Sequence, residues 1–193
     1  VLLVLLVLVL AAGAALLTGG RLVALADNGL SGLHWLVAAA TGQLLGSVTG
    51  GIAYPVGLLG SAICIAVFLR QNLRRPGVAL LALGFMANAL VVVLNGAMPV
   101  SRDALAQAGL RSFAESPRHE LADSQTLLPW LGDVVPVALP WIGQAVSPGD
   151  VLIAAGAGLL LYAGLGGTGR VPTDSTPTWA DLEAEPAPDH PTQ

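Results

Sequence analysis

The sequence predicts an all-α membrane protein, with five transmembrane helices and a partly structured extracytoplasmic segment between the fourth and fifth. Three observations lead there. Charged residues make up 10% of the 193, against roughly 25% in an ordinary soluble domain. Hydrophobic residues reach 54% and the mean hydropathy is +0.75, which leaves too little polar surface for a water-soluble fold of this size. Finally, five long apolar stretches carry no Asp, Glu, Lys or Arg.

A helix needs about 20 mostly apolar residues to cross the hydrocarbon core, with roughly 17 as a lower bound. The stretches lie at about 1–17, 30–49, 52–69, 78–98 and 151–165. The first is an almost pure Val/Leu/Ala run. Ala12-Gly13-Ala14 loosely resembles a signal-peptidase site, but no basic region precedes it, so it reads as a retained helix. In lipid the backbone must satisfy its own hydrogen bonds, so even the β-branched runs are expected to be helical.

Orientation follows from arginine, the sole basic residue besides histidine. Arg70, Arg74 and Arg75 crowd the short link between the third and fourth stretches, and short Arg-rich loops stay cytoplasmic. Alternation then places Arg21 and Arg170 inside with them, and the N-terminus outside. The connector 99–146 lies outside, where Asp103, Glu115, Glu120, Asp123 and Asp133 outnumber Arg102, Arg111 and Arg118. The expected location is the bacterial cytoplasmic membrane, the absence of lysine fitting a GC-rich bacterial genome. Residues 170–193, acidic and rich in Pro and Thr, lack apolar periodicity and read as a disordered cytoplasmic tail.

The second stretch carries small residues at steps of four, Ala38, Gly42, Gly46 and Gly50, below His34. Such stripes let helix backbones approach closely. Packing within the chain is the commoner use, an oligomer face the sharper one. His34 beside Trp35 reads as an interfacial pair. Asn88 and Asn95 share one face of the fourth stretch and suit interhelical hydrogen bonding. The lack of charge inside the stretches argues against an ion-coupled carrier.

The outer segment holds the chemistry. Ser101 is a candidate N-cap for a short helix ending at Gly109. Residues 126–146 are apolar but broken by Pro129, Pro136 and Pro140, with Trp130 and Trp141, and read as lying on or dipping into the outer leaflet. Ser147-Pro148-Gly149-Asp150 is a helix-start signature, with Asp150 at the positive end of the dipole. His119 with Glu120, Asp123 and Asp133 could bind a metal or act as acid and base, yet the spacing fits no ligand motif. We therefore expect no catalytic residue, no metal and no cofactor. Asn95, His119, Asp133 and Asp150 are expected to converge as a polar cluster that organises a cap over the helix bundle. One cysteine, Cys64, excludes an internal disulfide. A net charge of −4 without basic clusters argues against nucleic acid.

The residues Asn95-Gly-Ala-Met-Pro-Val-Ser101, Arg118-His119, Leu131-Gly-Asp133 and Ser147-Pro-Gly-Asp150, with Gly19-Gly-Arg21, resemble a family of small multi-span bacterial membrane proteins known only as a domain of unknown function. The family pattern reads N-G-G-M-P-V-S, K-H, L-G-D and S-x-G-D; here Ala97 replaces a glycine and Arg118 a lysine. The resemblance runs from Gly19 to about Leu165. It implies a membrane location and directs interest to the outer face, and supplies no reaction.

Together these features suggest a binding, accessory or scaffolding component whose partners are the bilayer and another membrane protein or a second copy. The alternative is a membrane-embedded enzyme or small-solute permease using His119 with Asp133. A homo-oligomeric channel would need a continuous polar path, which glycine stripes alone do not provide.

Overall fold

The structure, a computed structural model, describes residues 2–24, 29–49, 53–110, 113, 116, 118–139 and 142–166. Gly50, Trp141 and the tail 170–193 lie outside the described residues. The chain is mostly helical. Among the described residues the helices are α1 (Leu2–Leu17), α2 (Leu33–Thr49), α3 (Ala53–Asn72), α4 (Val78–Asn95), the short α5 (Arg102–Gln107) and α6 (Pro148–Gly164). Strands β1 (Met98–Val100), β2 (His119–Leu121), β3 (Val135–Leu139) and β4 (Ile142–Val146) lie between α4 and α6.

Each apolar stretch is thus a helix. By length and apolarity, however, only α4 among the described residues can cross a bilayer unaided. The others present apolar runs of 17 residues or fewer. Among the described residues, length and apolarity support one candidate crossing segment and do not by themselves support five.

The helices form two groups. α2 and α3 are an antiparallel hairpin, Gly42 facing the Gly57 carbonyl at one level and Ser31 bonded to Asn72 at another. α6 is flanked by α1 and α4. It runs with α1, Val7 lying against Gly158 and the Thr18 hydroxyl 3.2 Å from that of Tyr162. It runs against α4, and here the backbones touch. A Cβ on Gly84 would strike the Gly149 carbonyl, and one on Gly77 the Gly156 carbonyl. The two crossings are seven residues apart on both helices, one face of each.

The groups join at one end, where Phe68, Leu69 and Val78 form a core with Trp35, Leu81 and Leu160 around it. The same end is tied by side chain to backbone. Asn72, 2% exposed, accepts from the Ser31 N–H and donates to the Ser31 and Phe68 carbonyls. Arg75 donates to the Gly29 carbonyl, and the Arg21 N–H to Leu165. Arg21, Arg70, Arg74 and Arg75 therefore gather at this end, while Asp103, Glu120, Asp123, Asp133 and Asp150 lie with the strands at the other.

Two local expectations change. The fourth stretch stops as a helix at Asn95, not Met98, because Gly96 takes φ +87° and its N–H caps the Val92 carbonyl. A left-handed residue cannot continue the helix, and glycine adopts it without strain. The region 126–146, read as an irregular apolar segment, contains regular strand pairing. Val135–Leu139 and Ile142–Val146 pair as an antiparallel ribbon, Val135 opposite Val146, against α5, where Gly143 abuts the Ala108 carbonyl. α5 itself starts as expected, Ser101 Oγ accepting from the Ala104 N–H.

Candidate functional site

The cap is built around three residues. Met98-Pro99-Val100 is bonded on both sides and buried. On one side it pairs in parallel with β2, Met98 opposite His119; the Met98 N–H donates to the Arg118 carbonyl and the Ala122 N–H to Val100. On the other it meets Asp133: the Asp133 N–H donates to the Pro99 carbonyl at 2.8 Å, and the Ser101 N–H to the Asp133 carbonyl at 3.0 Å. A Cβ on Gly132 would drive into the Pro99 carbonyl. That close approach is the physical reason for glycine in Leu131-Gly-Asp133.

This strapping holds the Asp133 carboxyl out of water, at 6% exposure. Burial, and next the negative charge of Asp150, push its pKa from 3.8 up to about 7, since both disfavour a second charge there. His119 approaches, its Nε2 3.9 Å from Asp133 Oδ2, with the imidazole 47% exposed. Charged, the pair would lower the Asp133 pKa. At this separation, against an imidazole open to water, the attraction is weak and burial prevails.

Asp150 belongs to a closed ring. Its backbone N–H donates to Ser147 Oγ at 2.9 Å, and its Oδ2 accepts from the Ser147 N–H at 3.4 Å, a reciprocal capping box. Asn88 of α4 closes it, donating from Nδ2 to Asp150 Oδ1 at 2.8 Å and accepting from Ser147 Oγ at 2.7 Å. Ser147 is fully buried. A Cβ on Gly149 would collide with the Asn88 amide oxygen, so glycine there lets the amide reach the cap.

Asn95 stands apart. Its amide grips Leu127 on both backbone atoms, accepting from the N–H at 2.8 Å and donating to the carbonyl at 2.9 Å, and also reaches Val91. Among the described residues no bond joins it to His119, Asp133 or Asp150. The structure thus brings His119, Asp133 and Asp150 into one electrostatic neighbourhood and leaves Asn95 as a separate clamp. Asn88 and Ser147 are the partners that sequence reasoning left out of the cluster. Asn88 seven residues before Asn95, with a helix-start signature downstream, was the available signal.

Of the stripe glycines, Gly42 has the Gly57 carbonyl 3.4 Å from where its Cβ would sit, ordinary contact within the α2–α3 hairpin. Gly46 lies in α2.

Residues 30–162 match a family of unknown function (DUF5317). The match covers more than half of the chain. The chain belongs to this family. The DUF5317 match starts just before α2 and ends within α6, so it takes in Asn88, Asn95, His119, Asp133, Ser147 and Asp150 and excludes α1. No curated protein and no solved structure matches the chain.

Proposed function

We propose that this DUF5317 protein is a multi-pass component of the bacterial cytoplasmic membrane. Its five long helices cross the bilayer, its N-terminus and cap lie outside, and its arginine-rich end lies inside. It acts as an accessory or scaffolding subunit for a membrane protein partner or a second copy. One observation carries the location: the long helices turn their apolar side chains outward. Val9, Leu17, Val48, Leu59, Met86 and Val93 are each more than 60% exposed, while Asn72, Asn88 and Ser147 point inward to partners. Water would not tolerate so continuous an apolar surface; lipid would. Helices shorter than the core are accommodated by local thinning of the bilayer and by snorkelling of flanking side chains.

The accessory role rests on what the polar atoms do. Asn88, Ser147, Asp150 and Asn95 are engaged with one another or with backbone, as caps and clamps. A catalytic centre leaves reactive atoms open to a substrate. A second reading, an enzyme or permease, is favoured by His119 with Asp133, a half-exposed imidazole beside a carboxyl poised near neutrality.

Membrane-impermeant maleimide on whole cells tests the placement, in a chain whose Cys64 is replaced by serine. Cysteine at Gln125 should label and cysteine at Gln71 should not. The reverse pattern inverts the topology, and labelling at both removes the proposal. To separate the roles, Asn88→Ala should lower membrane abundance and protease resistance while His119→Ala leaves both intact. If instead an activity is lost in His119→Ala at normal abundance, the enzyme reading stands.

A further inference from the structure

A line of polar groups runs from the cap surface to the contact between α4 and α6. His119 is its exposed head, and Asp133 stands behind it, buried. Asp150 lies near enough for its charge to act on Asp133. Asn88 then holds Asp150 and Ser147 together. Beyond Asn88 the line ends, because Gly84 and Gly149 meet backbone to backbone.

The groups facing Asp133 are few. β1 contributes Met98, Pro99 and Val100, none of them titratable. β2 contributes His119, flanked by the exposed Arg118 and Glu120. α6 contributes Asp150, whose negative charge disfavours the ionised form. Val134, next to Asp133, lines a shallow concavity with Arg102 and Asp103 of α5.

We propose that Asp133 is an outer-face proton site, exchanging with solvent past His119, whose occupancy decides how firmly the cap seats on α4 and α6. With the proton bound, a neutral carboxyl is buried at the residue that pairs with β1. When the proton leaves for solvent, a charge is left on a buried carboxyl that already lies in the field of Asp150. Water must then reach Asp133, and the bonds in its way are those from the Asp133 N–H to Pro99 and from the Ser101 N–H to Asp133. An unpaired buried charge costs more than two exposed backbone bonds, so the strap opens. The inference rests on the membrane reading only for which side's acidity is sensed; the proton linkage does not depend on it.

Hydrogen exchange on the full chain in detergent micelles tests this at about pH 5.5 and about pH 8.5, corrected for the intrinsic rate at each pH. Protection at Ser101 and Asp133 should fall in the alkaline sample, by up to about tenfold per pH unit, the limit for one proton. Asp133→Asn should be protected equally at both values, and Asp150→Asn should show a smaller change than the native chain. Asp103→Asn, an exposed carboxylate of the same cap, should keep the native profile. A flat native profile overturns the proposal. So does a native-like profile in Asp133→Asn, or a loss of protection spread equally over α1 to α4. Because micelles have no sides, these results are independent of the maleimide labelling, and either can fail alone.

Discussion

Asp133 shows how a single side chain takes its chemistry from its backbone. Two strand-type hydrogen bonds fix it against Pro99 and Ser101, and burial follows from that fixing. A carboxyl raised from 3.8 to about 7 binds more protons in the folded chain than in the unfolded one over that interval. Its contribution is therefore full below the unfolded value and is lost as pH rises through about 7. Thermal unfolding in detergent should show a lower midpoint at about pH 8 than at about pH 5, the unfolding free energy falling by up to roughly 1.4 kcal/mol per pH unit between 3.8 and about 7. Asp133→Asn should flatten that slope. Asn88→Ala is expected to cost about 1–3 kcal/mol, since Asp150 Oδ1 and Ser147 Oγ would each lose a partner in a part-buried site; the same unfolding measurement checks it. Asp150 as a cap was legible from Ser-Pro-Gly-Asp alone. Its bond to Asn88 was not, because that residue lies 62 positions away.

At the scale of elements, the glycines that matter most for close packing are not the ones that sequence spacing singles out. Gly42, Gly46 and Gly50 form a regular stripe, yet at Gly42 an added methyl meets only the Gly57 carbonyl at 3.4 Å. Gly84 faces Gly149, and Gly77 faces Gly156, with the carbonyl of one inside the space a Cβ of the other would need. Gly84→Ala should thus destabilise by about 1–3 kcal/mol through overpacking, while Gly42→Ala should stay within about 1 kcal/mol, helix propensity offsetting a mild contact. Paired melting curves distinguish the two. The seven-residue spacings were present in the sequence, but which helix would face α6 was not. The strands β3 and β4 were hidden for a related reason. Pro136 argues against a strand interior, and only pairing with the segment ending at Val146 stabilises it.

For the whole molecule, the arrangement is an apolar outer surface around inward polar clamps, with arginines at one end and the acidic cap at the other. Asn72 and Asn95 do the same work at opposite ends, each holding a connector by both of its backbone atoms. The proposed bilayer placement predicts that the chain stays in the membrane pellet through alkaline carbonate and high salt, and leaves it only with detergent. Release by carbonate would contradict the bilayer placement.

Composition and apolar run length by themselves determined that the chain is mostly helical and where its long helices lie, because helix formation is local and an apolar stretch without charge has few other stable forms. They also marked Ser101, Ser147 and Asp150 as caps, since a cap is read within four residues. Tertiary structure alone decided which helix meets α6, that Met98-Pro99-Val100 would be the centre of the cap, and that Asp133 would be buried within the field of Asp150 and 3.9 Å from His119. Those outcomes depend on contacts between residues far apart in sequence, and a buried carboxyl changes its proton affinity only once such contacts exclude water.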